Sequence, residues 1–198
     1  MKRDKIYKGR LDKHMDELKW LYMELYNSQD MFDGLLEGME GFYVERTERL
    51  RTLDASREED PCWYRKSSML GMMMYADHFA GSLKGVEGKL DYIEQCHVNY
   101  LHLMPLLDTP RGRSDGGYAV SDFRKVREDL GTMEDLEQLA RDCHDRGISL
   151  CLDFVMNHTS EEHEWARRAR AGEKEYQDRY FFFVSWTVPC MFVETGPQ

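Results

Sequence analysis

The chain has 198 residues, of which 41% are apolar and 32% charged, a balance that excludes disordered and collagen-like classes. The net charge of −10 argues against a nucleic-acid partner, which needs a basic stripe against the phosphates. No apolar run reaches the ~18 residues of a membrane span, and the charged start is not followed by the apolar stretch of a signal peptide. Five cysteines without Cys-x-x-Cys spacing suit reduced thiols, so a cytoplasmic protein is expected; no membrane partner is expected and no cofactor is assigned.

Six Lys or Arg lie between Lys2 and Lys13, diluted by Asp4 and Asp12, and read as a solvated start. Residues 16–53 carry apolar side chains at helical spacing (Leu18, Leu21, Tyr22, Leu25, then Phe32, Leu35, Leu36, Met39), predicting at least two helices. The polar stretch from Asp54 to Pro61 reads as a loop or linker.

From about Leu70 the pattern changes. Leu70 to Ala76, Val98 to Met104 and Ile148 to Phe154 are short apolar runs expected as strands, with Met72 to Met74 as core strand. Between the first two, Leu83, Val86, Leu90 and Ile93 mark one helix face, with Ser82 as its cap. Between the second and third, Thr132 and Asp135 form a capping box over a helix burying Leu136, Leu139, Ala140 and Cys143 and stopped by Gly147. Strand–helix–strand units in succession imply a parallel α/β sheet. Ligands in such folds bind beyond the strand carboxyl ends. Asp77-His78, the long segment Asp108–Gly131, and Asn157-His158 all lie there.

Three motifs carry candidate chemistry. Asp153-Phe-Val-Met-Asn-His158 alternates, placing Asp153, Val155 and Asn157 on one side and Phe154, Met156 and His158 on the other. An acid at a strand end is either a loop cap or a functional group, and both readings stand. Arg113-Ser-Asp-Gly-Gly-Tyr118 combines a carboxylate, two flexible glycines and a ring, either a turn or a set suited to a sugar. His158 and His163 are spaced five apart, about 140° around a helix, so a shared metal is rejected. Thr159 with Glu162 reads instead as a capping box for a helix ending at Gly172. Tyr180-Phe-Phe-Phe183 reads as core rather than as a binding platform.

Four stretches taken together resemble the α-amylase superfamily, glycoside hydrolase family 13, with amylosucrase-type members most alike. They are Tyr75-Ala-Asp-His-Phe-Ala-Gly-Ser-Leu-Lys-Gly85, Tyr100-Leu-His-Leu-Met-Pro-Leu-Leu107, Ser114-Asp-Gly-Gly-Tyr-Ala-Val-Ser121 and Asp153-Phe-Val-Met-Asn-His-Thr-Ser-Glu-Glu-His-Glu-Trp165. The resemblance implies an N-terminal helical domain (1–66), the first three β/α units of a (β/α)8 TIM barrel (67–183), and a tail (184–198) that fits no expected pattern. It implies retaining glucosyl transfer from sucrose to an α-1,4-glucan. Asp115 would hold glucosyl hydroxyls, Tyr118 would stack on the ring, and His158 would bond the 6-hydroxyl. Asp153 would orient an arginine of a later strand and Asn157 would brace the loop.

No residue of this chain matches the family's nucleophile or acid/base, so no catalytic residue is assigned. An inactive N-terminal fragment, produced by a frameshift or premature stop, is the expectation. The alternatives are a non-catalytic carbohydrate-binding or interaction module, or part of a sucrose hydrolase or a trehalose-forming isomerase.

Overall fold

The computed structural model describes residues 5–113 and 116–181. The chain divides into two compact units between Lys66 and Ser67. The 184–198 tail, Phe182, Phe183 and Cys190 lie outside the described residues. Among those described, no helix is long and apolar enough to cross a membrane.

The first unit holds α1 (Lys5–Tyr26), α2 (Gln29–Glu45) and α3 (Glu48–Glu59). Helix α1 occupies the charged stretch expected as a solvated start, because Tyr7 and Leu11, one turn apart, are buried. The Tyr7 ring packs 5.0 Å from that of Tyr43. Ser28 caps α2 by accepting from the Met31 N–H, and Thr47 caps α3 through the Leu50 N–H.

Helix α3 corrects the loop expected over 54–61. It buries no residue, so apolar periodicity cannot reveal it. Its anchors are charges. Arg46 donates to both Asp54 oxygens at 2.5 and 2.6 Å, and Arg10 pairs with Glu58 at 2.6 Å. The Asp54 carboxyl is held below the usual carboxylate range, first by the Arg46 hydrogen bond and then by the charges of Arg46, Arg10 and Arg57, against a smaller opposing effect of burial.

The second unit is α/β. In chain order it has β1 (Gly71–Met74), α4 (Ala76–Ala80), α5 (Leu83–Glu87), α6 (Leu90–Gln95), β2 (Tyr100–Leu103), β3 (Leu107–Asp108), β4 (Asp122–Val126), α7 (Met133–Asp145), β5 (Ser149–Leu152), α8 (Glu164–Arg170) and α9 (Lys174–Gln177). Strands β1, β2 and β5 form a parallel sheet in that order. Among the described residues the sheet is open. In register, Met72, Leu101 and Leu150 share one face, as do Met74, Leu103 and Leu152. The other face carries Gly71, Tyr100 and Ser149, then Met73, His102 and Cys151.

Among the described residues, helices cover the first face. Leu101 and Leu103 are fully buried there with Leu83, Val86, Leu90, Ile93, Leu139 and Cys143. Met73 on the other face is 66% exposed, so the Met72–Met74 run is core at its two ends and not in the middle. The second face mixes apolar and polar side chains: Tyr100, Ser149, Met73, His102 and Cys151.

Three further differences are local. The single helix expected from Leu83 to Ile93 is two, α5 and α6, although all four predicted side chains are buried. The segment after β2 contains a short antiparallel ribbon, β3 with β4, with an irregular register at Leu107/Asp108. Helix α8 opens at Glu164, where the His163 ring nitrogen accepts from the Trp165 N–H, and not at a Thr159 capping box. Thr159 instead bonds the Tyr180 hydroxyl at 2.8 Å.

Helix α7 follows the sequence reading closely. Both capping-box bonds between Thr132 and Asp135 are present. At its other end Gly147, at φ +72°, donates to the His144 carbonyl and Ile148 to that of Cys143, the paired bonds of a Schellman stop.

Candidate functional site

The loops beyond the carboxyl ends of β1, β2 and β5 bring the candidate residues together. The loop after β2 turns through Gly116 and Gly117 with φ of +59° and +90°. A Cβ at Gly117 would stand 2.9 Å from the Pro105 Cβ, and one at Gly116 would stand 2.8 Å from the Tyr75 hydroxyl. Both glycines are therefore required, by backbone conformation and by space. The turn places Tyr118 at the end of the sheet, 37% exposed.

Tyr118 is held at both ends. Its hydroxyl donates to Asp153 Oδ2 at 3.4 Å. Its backbone carbonyl accepts from His158 Nε2 at 3.2 Å. A carbonyl only accepts, so the His158 proton sits on Nε2 and leaves Nδ1 to accept from the Asn157 side-chain amide at 3.3 Å. The Tyr118 hydroxyl is pushed above its ordinary value, first by burial and then by the Asp153 charge. Asn157 thus braces the His158 ring. A backbone bond from Ser160 N–H to the Val120 carbonyl, at 2.8 Å, closes the same two loops against each other.

Asp153 has a second contact, His102 Nε2 on Oδ1 at 3.3 Å. Alternation after β5 holds through Met156, with Phe154 and Met156 exposed and Asp153 and Val155 half-buried. It breaks at Asn157 and His158, which are both exposed neighbours on one loop. Asp115 and Ser114 lie outside the described residues, so the proposed hydroxyl-holding carboxylate has no described geometry. Arg113, just before them, pairs with Glu161 at 3.0 Å and Glu162 at 3.1 Å.

After β1, the Asp77 carboxylate accepts from Arg127 at 2.7 Å and from the His78 N–H. Burial acts to raise the Asp77 pKa, but the Arg127 and His78 hydrogen bonds with their charges outweigh it and the net shift is downward. Asp77 thus ties α4 to the segment just after β4. Among the described residues no group of three His, Cys, Asp or Glu side chains could hold a metal.

Two residues of the site escaped the sequence reading as individuals, Tyr75 and His102. Tyr75 closes β1 against Gly116, and His102 projects from the uncovered sheet face toward Asp153. His102 had one available signal: it is the ionisable side chain in an otherwise apolar strand, at the alternate position to Leu101 and Leu103.

The family model for the alpha-amylase catalytic domain matches residues 39–196. An oligo-1,6-glucosidase of Bacillus cereus is 37% identical over 103 residues, 52% of this chain and 18% of that protein. An alpha-glucosidase of Schizosaccharomyces pombe is 32% identical over 150 residues, 72% of this chain and 24% of its own. Among solved structures, a trehalulose synthase mutant in complex with the substrate sucrose superposes with a TM-score of 0.54 and 34% identity, over 61% of this chain and 22% of that one. A Bacillus licheniformis trehalose-6-phosphate hydrolase gives 0.52 and 32%, over 58% and 21%. The 198 residues span about a fifth of the length of these relatives.

Proposed function

The chain belongs to the α-amylase family, whose fold is the TIM barrel, and from that premise we propose that residues 67–181 form the glucosyl-binding side of a carbohydrate-processing site. Its substrate is sucrose or an α-glucan. Tyr118 offers its ring to the sugar, Asp115 and His158 bond its hydroxyls, and Asp153 and Asn157 hold Tyr118 and His158 in place. The segment supplies the first three β/α units of the barrel, and the chemistry of the whole protein is retaining glucosyl transfer of the amylosucrase kind.

The observation that carries this reading is the convergence on Tyr118. Its hydroxyl and its carbonyl are fixed by Asp153 and His158, both on the loop after β5, and its backbone turn by Gly117 against Pro105. A ring held at three points and still 37% exposed is pre-organised for a flat ligand face. Retaining transfer also needs a facing pair of carboxyl groups about 5 Å apart. No residue of this chain is assigned to that pair, and Asp153 serves Tyr118 instead.

The substrate of the sucrose-bound relative favours a sucrose site over the second reading, a non-catalytic carbohydrate-binding module. The test joins residues 67–181 to the later strands of that trehalulose synthase and compares two variants. Asp115→Ala is expected to lower kcat/KM by about ten- to a hundredfold, the worth of a hydrogen bond to an ionised group, and Asn157→Ala by less. Equal small losses from both would contradict the assigned roles.

A further inference from the structure

The uncovered face of the sheet ends in an arrangement that the family reading does not use. Strand β2 pairs with both neighbours, so its backbone is fixed on either side, and alternation sends His102 away from the buried Leu101 and Leu103. His102 and Asp153 are both half-buried, with side chains 26% and 24% exposed. Each oxygen of the Asp153 carboxylate has its own polar neighbour: His102 Nε2 stands 3.3 Å from Oδ1, within ion-pair distance, and the Tyr118 hydroxyl donates to Oδ2.

A carboxylate at the end of a strand can rotate about its terminal torsion. A donor on one oxygen stops that rotation and thereby fixes where the other oxygen meets the tyrosine. We propose that His102 is a positioning residue for the sugar pocket, holding the Asp153 carboxylate in the plane from which it orients the Tyr118 ring. The inference rests on the reading of Tyr118 as the ring that meets the sugar.

His102 touches no substrate in this account and acts through Asp153. Removing its donor leaves a half-buried carboxylate oxygen short of a partner and frees the tyrosine hydroxyl. The backbone supports of Tyr118, at Gly117 and His158, remain. The ring is therefore expected to reorient while the fold persists.

The test follows the ring resonances of 13C-labelled tyrosine in the full chain, with Tyr118 assigned from its loss in Tyr118→Phe. H102F removes the donor but keeps a ring, and H102N withdraws the donor on a shorter side chain. Both are expected to displace the Tyr118 resonances in the direction that D153N displaces them, with Tyr176 unmoved. The double variant H102F/D153N is expected to go no further than either single change. H102Q, which restores an N–H within reach, is expected to return them. Half-saturation by sucrose should rise about two- to tenfold in H102F and recover in H102Q. Unmoved Tyr118 resonances in folded H102F and H102N, or additive shifts in the double variant, would overturn the proposal. A wild-type chain whose Tyr118 ignores sucrose would instead remove the sugar from the site, and the ring resonances would still decide the role of His102.

Discussion

The His158 imidazole donates to the Tyr118 backbone carbonyl at 3.2 Å, tying together two loops 40 positions apart in sequence. The bond requires one tautomer, and the Asn157 amide on the other ring nitrogen selects it. Histidine is thus used here first as a clamp.

Asn157→Ala removes the group that selects this tautomer. Long-range 15N–1H spectra of the neutral imidazole should show His158 as the Nε2–H form in the wild-type chain and as a mixture in the variant. A wild-type spectrum of the Nδ1–H form would contradict the clamp.

Gly117→Ala places a methyl group 2.9 Å from Pro105 Cβ at a φ of +90°. Strain of this kind costs about 1–3 kcal/mol. Urea unfolding should register a loss of that size, with Tyr118 displaced, whereas Gly112→Ala, whose Cβ meets nothing within 4 Å, should lose less.

The turn from α6 into β2 offers the opposite experiment. His97 occupies a left-handed position with φ +59°, donating to the Glu94 carbonyl while Val98 donates to that of Ile93. Glycine is the usual residue at such a helix stop. His97→Gly should stabilise the second unit by about 1 kcal/mol, read as a higher urea midpoint with unchanged slope.

These positions also show how far the sequence reads. The face of α7 and its two ends were legible, because Thr132, Asp135 and Gly147 act on their own neighbours. So were the parallel strands, whose apolar runs are short and bounded. Helix α3 was not, since its support comes from Arg46 and Arg10, a partner relation that periodicity does not carry. The β3–β4 ribbon was hidden because a two-residue strand has no pattern of its own. Within the site, the motif from Asp153 to His158 lies on the loop that meets Tyr118, but the neighbours of Asp153 come from β2 and from Tyr118. Resemblance to the family singled out Tyr118, Asp153 and His158, and the pairing of His102 with Asp153 required the register of the sheet.

Cys143 supplies a pH prediction. Burial raises its thiol from 9.0 to about 11, with the Asp142 charge adding and Arg146 opposing. Below about pH 9 the thiol is protonated in both folded and unfolded chains and the stability difference is flat. Between 9 and 11 the unfolded chain releases the proton and the folded chain keeps it, so stability falls as pH rises. The loss is at most about 2.7 kcal/mol. Cys143→Ala should therefore lose less stability between pH 8 and 10.5 than the wild-type chain does. Iodoacetamide at pH 8 should modify the exposed Cys62 well before Cys143.

The central claim, a glucosyl-binding surface formed by Asp115, Tyr118 and His158, is tested most directly by titrating the labelled chain with sucrose. The account predicts saturable movement of the Tyr118 and His158 ring resonances in the millimolar range, lost in Asp115→Ala, with Tyr176 as a silent control. Rings that stay still at saturating sucrose, or that move equally in Asp115→Ala, would contradict it.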